Sequence, residues 1–182
     1  MNKIIKFENI ILAVVIMLFT MVMSYEYNNR KDMYSKEKIY DLELQYKDKL
    51  MSNKVLVEAL YGDVIENDIV TKLMYESSNN IDKDLNREKL LNIFKEKYKR
   101  MNKQGVLQFH FHLANGDSFL RFHKPKKYGD NLLSFRDSIK KVIETKQPVY
   151  GFEVGRYFEG FRYVYPLFYK NKHIGSVETS IG

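Results

Sequence analysis

Residues 108–123 read QFHFHLANGDSFLRFH and hold three of the four histidines in the chain. Asn115-Gly116 is a strong hairpin signal, because a two-residue turn needs positive φ at both positions and these two residues tolerate it. Such a turn sets Phe111 opposite Leu120, His110 opposite Arg121, Phe109 opposite Phe122 and Gln108 opposite His123. Side chains alternate across a strand, so Leu107, Phe109, Phe111, Leu113, Leu120 and Phe122 share a core face. Gln108, His110, His112, Phe119, Arg121 and His123 share the other face, which is polar, cationic and partly aromatic. A one-residue bulge at the turn would shift this register on one strand.

Working outward, the alternating pattern continues after the hairpin. Residues 149–155, 161–168 and 173–181 read as strands alongside 106–113 and 118–123, with a helix at 134–145 between the second and third. The short connections imply an antiparallel sheet of about five strands. Glu153 and Arg162 fall on one face of the second hairpin as near diagonal neighbours, with its turn near Phe158 and Glu159 and with Arg156 and Tyr157 at the mouth of any pocket there.

Upstream the period is helical. From Tyr25 to Tyr61 there is neither Gly nor Pro, and Met33, Ile39, Leu42, Tyr46, Leu50, Leu56 and Leu60 form an apolar stripe. This predicts one long amphipathic helix of about 50 Å that Gly62 breaks. A shorter helix is expected over 63–76. A third, capped by Asp84 and stopped at Gly105, buries Leu90, Leu91, Phe94, Tyr98 and Met101. Helices first and strands second make the soluble part α+β.

Residues 10–23 (IILAVVIMLFTMVM) carry no charge, and 7–25 is long enough to cross a bilayer core of roughly 30 Å. Lys3 and Lys6 on the short side favour a cytoplasmic N-terminus, with the remainder extracytoplasmic. The VMS-Y sequence suits signal cleavage poorly, so an uncleaved, single-pass anchor is expected. The division is therefore 1–25 tip and anchor, 26–104 helical segment and 105–182 sheet. The long helix favours a homodimer.

A net charge of +7 is spread among interleaved acids, without a nucleic-acid-binding signature, so nucleic acid is not an expected partner. With no cysteine, disulfides and thiolate chemistry are excluded. No nucleophile–base arrangement or phosphate loop is evident, so an enzyme is not expected. His110-x-His112 raises the question of a metal. Arg121 opposite His110 opposes one, and the hairpin face supplies no Asp or Glu to complete the ligands. The same face suits a small anion, since Arg offers a planar fork and imidazole adds directed hydrogen bonds. A merely solvated sheet face is the other reading.

The segments LQFHF, SFLRFHKPKKYGD, SFR, GFEVG, FRYVYPLF and HIGSVE, from Leu107 to Glu178, resemble Cache-type sensor domains. These serve bacterial chemoreceptors, histidine kinases and diguanylate cyclases, and the double-Cache branch is the nearest in pattern. The resemblance implies a PAS-like sheet binding a small carboxylate or related metabolite and no cofactor. It places His110, Arg121, His123, Lys124, Arg136, Glu153 and Arg162 at the pocket, and His112 outside the motif. It further implies a second module, a second membrane helix and a cytoplasmic output domain. The sequence stops at Gly182, as a fragment or a shortened relative would, and without an output domain it is not expected to signal alone. A tethered interaction domain and a His-dependent metal sensor are the alternatives.

Overall fold

The computed structural model describes residues 2–155 and 159–182, with side chains from residue 7 onward. Among these the elements run α1 (Asn2–Ile65), α2 (Asp68–Ser78), α3 (Lys83–Lys103), β1 (Val106–Leu113), β2 (Ser118–Arg121), α4 (Asp137–Thr145), β3 (Val149–Val154), β4 (Glu159–Tyr169) and β5 (Lys172–Ile181). The expected α+β class is what the structure shows. Two compact units result, Met1–Asp48 and Lys49–Gly182.

In the first unit, α1 contains an 18-residue window of mean hydropathy 2.1 with nothing buried, long and apolar enough to cross a membrane. The apolar side chains from Ile10 to Met23 are exposed there.

In the second unit, the helix does not break at Gly62. It runs to Ile65, and the Gly62 carbonyl accepts a hydrogen bond from the Glu66 amide. A glycine in a helix interior costs about 1 kcal/mol, and burial of Val57 and Val64 on either side of it outweighs that. The new helix begins where a cap exists: the Asn67 side chain accepts from the amides of Ile69 and Val70. Asp84 lies in the first turn of α3 rather than at its cap, which is Asp82.

The five strands form one antiparallel sheet in the order β2-β1-β5-β4-β3. One face packs on α2, α3 and the last turns of α1. There Phe94 of α3 meets Phe109, Phe111 and Phe122 at ring distances of 5.5, 6.0 and 6.3 Å, and Tyr61 stacks on Tyr165. The other face is covered by α4 and residues 124–136, with a smaller apolar cluster of Leu132, Ile139, Val142 and Val164.

In the first hairpin, His110 pairs with Arg121 and Phe111 with Leu120 as expected, but a bulge follows and His112 pairs with Ser118. The loop has three residues: the amide of Leu113 donates to the Asp117 carbonyl, and only Gly116 takes a positive φ, of 83°. A side chain at 116 would also collide with Leu133. The extra residue sends Phe119 to the apolar side, where Arg87 of α3 lies over its ring, so Phe119 leaves the polar face predicted for it.

Candidate functional site

On β5, Ser176, Glu178 and Ser180 alternate with Val177, Thr179 and Ile181. The first set joins His110 and His112 of β1, Arg121 of β2 and Arg162 of β4 on the face under α4, every one of them buried. Buried charge survives only when it is paired and hydrogen-bonded, and here the pairing is extensive. Glu178 Oε1 accepts from Arg136 Nη2 at 2.6 Å, Arg162 Nη1 at 2.8 Å and Ser180 Oγ at 2.8 Å. Arg136 Nε donates to Glu153 Oε2 at 3.0 Å, and Glu153 also accepts from the amide and hydroxyl of Ser138 at the start of α4. Arg162 lies diagonally across from Glu153, Nε to Oε2 3.7 Å. Arg121 grips Asp130 with both terminal nitrogens, at 2.7 and 2.8 Å, and donates to the Lys127 carbonyl.

The protonation states follow. Burial alone would raise the Glu178 carboxyl, but Arg136, His112 and Arg162 together hold it well below the usual range. Burial holds His110 well below its ordinary value, His112 adding to the effect and Glu178 opposing it, and burial lowers His112 as well. His123 is pushed down to about 4 by burial, then by Arg121. The hydrogen bonds from Arg121 lower Asp130. At neutral pH the face carries neutral imidazoles among three guanidinium–carboxylate pairs.

A cavity of about 50 Å³ opens between this face and residues 124–136. That is room for a few waters or a single carboxylate group. Six of the seven residues singled out from sequence line it: His110, Arg121, His123, Lys124, Arg136 and Arg162. Glu153 stands behind the wall, on Arg136 and Arg162. Arg156 and Tyr157, expected at the mouth, and the turn at Phe158 lie outside the described residues.

Two acidic residues of the site were not expected there from the sequence. Asp130 comes from the covering segment. Glu178 corrects the expectation that no acid shares the histidine face, because β5 pairs with β1 and sets Glu178 directly opposite His110. Its signal was the lone carboxylate of the strand, in phase with Ser176 and Ser180. His112, expected at the periphery, is wholly buried beside it.

A family model described as "Double sensory domain of two-component sensor kinase" matches residues 69–181. No curated protein matches. Among solved structures the chain is similar to the sensor domain of the histidine kinase DctB of V. cholerae (TM-score 0.51, 13% identity, 80% of this chain, 56% of that one). It is also similar to a domain of a sensory box/GGDEF family protein of Vibrio parahaemolyticus (0.51, 15%, 80% and 59%). The sensory domain of the Campylobacter jejuni chemoreceptor Tlp3, with isoleucine bound, matches at 0.45 and 18%, over 81% and 62%. At these identities the likeness to the two Vibrio structures is one of fold, and the chain spans somewhat more than half of their length.

Proposed function

This chain belongs to the family of double sensory domains of two-component sensor kinases, and from that premise we propose that it is the extracytoplasmic input module of a membrane receptor whose ligand is a small anion. The observation that carries the reading is the cavity wall. Among the described residues twelve line it, of which Arg121, Lys124, Lys127, Arg136 and Arg162 are cationic and only Asp130 is acidic. Cations focused into a low-dielectric cleft attract an anion.

Asp130 supplies the mechanism. Its carboxylate already occupies the fork of Arg121, so a ligand carboxylate binds by exchange with it. Exchange of like for like is nearly balanced, which suits the roughly 1–3 kcal/mol of coupling typical of such devices. Release of Asp130 frees residues 124–135 to move and make room for the rest of the ligand. On β4, Arg162 faces the cavity while its neighbour Tyr163 reaches the opposite side, where its hydroxyl donates to the Leu50 carbonyl of α1 at 2.8 Å. A shift of β4 is thereby felt by α1. With α1 as a membrane anchor, its N-terminus cytoplasmic and a second copy beside it, helix displacement carries the signal through the membrane.

The test is a thermal-shift screen of the full chain in detergent against carboxylates, amino acids and divalent metals. A cognate anion at a hundredfold excess over its Kd stabilises by about 2.7 kcal/mol, a rise of roughly 5–10 °C, and Arg121→Ala abolishes the rise. If no small anion stabilises the chain and a protein partner does, it is a tethered interaction domain instead.

A further inference from the structure

We propose that His110, His112 and Glu178 form a binding site for a divalent first-row transition ion, with Zn²⁺ as its probe. His110 Nδ1 and His112 Nε2 lie 3.9 and 3.5 Å from the same oxygen, Glu178 Oε2. One donor atom from each of the three side chains falls within 4.8 Å of the others. An ion with bonds of roughly 2.0–2.2 Å holds its ligand atoms about 3.0–3.5 Å apart, so closing the set around a metal shortens the two distances to Glu178 by less than about 1 Å and the remaining pair, which lies within 4.8 Å, by less than about 2 Å.

The bonding of the remaining atoms points the same way. His112 Nδ1 meets Ser176 Oγ at 2.9 Å, and His110 Nε2 meets Ser118 Oγ at 2.8 Å. Glu178 Oε1 is taken by two arginines and Ser180. Each side chain is thus oriented from behind, as the outer partners of metal ligands do. Among the described residues, His112 Nε2 and Glu178 Oε2 are buried polar atoms without a hydrogen-bond partner. Other buried polar atoms, Tyr165 OH and Asn53 Nδ2 among them, share that condition, but these two face each other across 3.5 Å, and a shared ion accounts for both. Two imidazoles and one carboxylate are a donor set for zinc or iron.

The three guanidiniums nearby are already engaged. The fork of Arg121 ends on Asp130, and Arg136 and Arg162 bond the far oxygen of Glu178. Burial, with the arginines acting on Glu178, keeps the imidazoles neutral and the carboxylate charged, which are the ligating forms. Of the three ligands, His110 lines the cavity, while His112 and Glu178 lie behind its wall. The rival occupant is a proton, carried on His112 Nε2 and directed at Glu178 across 3.5 Å.

The site is independent of the anion reading, since it needs no small molecule and its failure leaves that reading intact. Untagged full chain in detergent, stripped with chelator, is titrated with Zn²⁺ and examined by X-ray absorption at the zinc edge. We expect one equivalent per chain, a spectrum with two imidazoles, a loss of affinity of at least tenfold in His112→Gln, and none in His173→Gln. Absence of binding, a spectrum lacking two imidazoles, or unchanged affinity in a folded His112→Gln overturns the proposal. The wild-type spectrum decides alone if that variant does not fold.

Discussion

The two faces of the sheet are equally dry and chemically opposite. Toward α2 and α3, Phe109, Phe111, Leu120 and Phe122 are buried among Leu90, Phe94 and Met101. Toward α4, His110 and Arg121, one position away on β1 and β2, and Arg162 of β4 and Glu178 of β5 are shielded just as fully. Burial on the first face stabilises through apolar area. On the second it stabilises nothing by itself: desolvation works against every charge, and only completed pairs offset it. The first face is therefore a scaffold that tolerates small losses locally. The second is a network in which removing one member strands the others.

The contrast is sharpest at Glu178. Glu178→Leu leaves Arg136 and Arg162 buried with Glu153 as the one carboxylate between them, and we expect a loss of about 3–5 kcal/mol in urea unfolding followed by tyrosine fluorescence. A loss below about 1 kcal/mol would show that both guanidiniums reach water. On the apolar face, Leu90→Ala removes a wholly buried side chain and should cost about 3 kcal/mol. That cost should be the same at pH 7.5 and 5.5, because no proton is involved.

The polar face should respond to pH. The folded pKa of His123 lies near 4 against an ordinary 6.5, and His110 and His112 are also lowered. Between those values the unfolded chain binds protons that the folded chain refuses. Stability is thus full above about pH 6.5 and falls as pH drops toward 4, with a slope of at most about 1.4 kcal/mol per pH unit per histidine. The lowered carboxyls of Glu178 and Asp130 extend the loss to more acid pH. His123→Gln should remove one proton from the slope measured by urea midpoints at pH 5.0 to 7.5. An unchanged slope would mean that His123 is solvated.

The same contrast explains what could be read from the chain. Both faces of β1 were legible from 108 to 113, because alternation is local and QFHFHL displays it, whereas Leu107, expected on the core face, is 40% exposed at the start of the strand. The strand positions and the antiparallel class followed from the same period and from short loops. Glu178 was not legible as a partner of His110, since the β1–β5 pairing joins residues 68 positions apart and a single sequence carries period but not long-range register. Phe119 was misplaced by a bulge that Asn115-Gly116 does not announce. Gly62 misled because its local cost is smaller than the burial of the valines flanking it. The cationic lining was visible residue by residue, but its internal carboxylates were not, so Arg121 read as open when Asp130 holds it.

Asp130 gives the smallest effect on stability and the most decisive one on function. Its side chain is 39% exposed against 9% for Arg121, so solvent screens the pair and Asp130→Asn should cost only about 1 kcal/mol. Two roles for this carboxylate predict opposite changes in binding. If Asp130 merely pins the covering segment, Asn loosens the cover and the anion binds more weakly. If Asp130 occupies the place a ligand carboxylate takes, Asn is the poorer competitor, Arg121 is easier to claim, and affinity rises, by at least threefold on the exchange mechanism. Calorimetric titration of wild type and Asp130→Asn, with the anion from the screen or with acetate in its place, reads the sign directly. Weaker binding in a variant whose melting point is otherwise preserved would leave Asp130 a latch for the segment and remove it from the mechanism of ligand exchange.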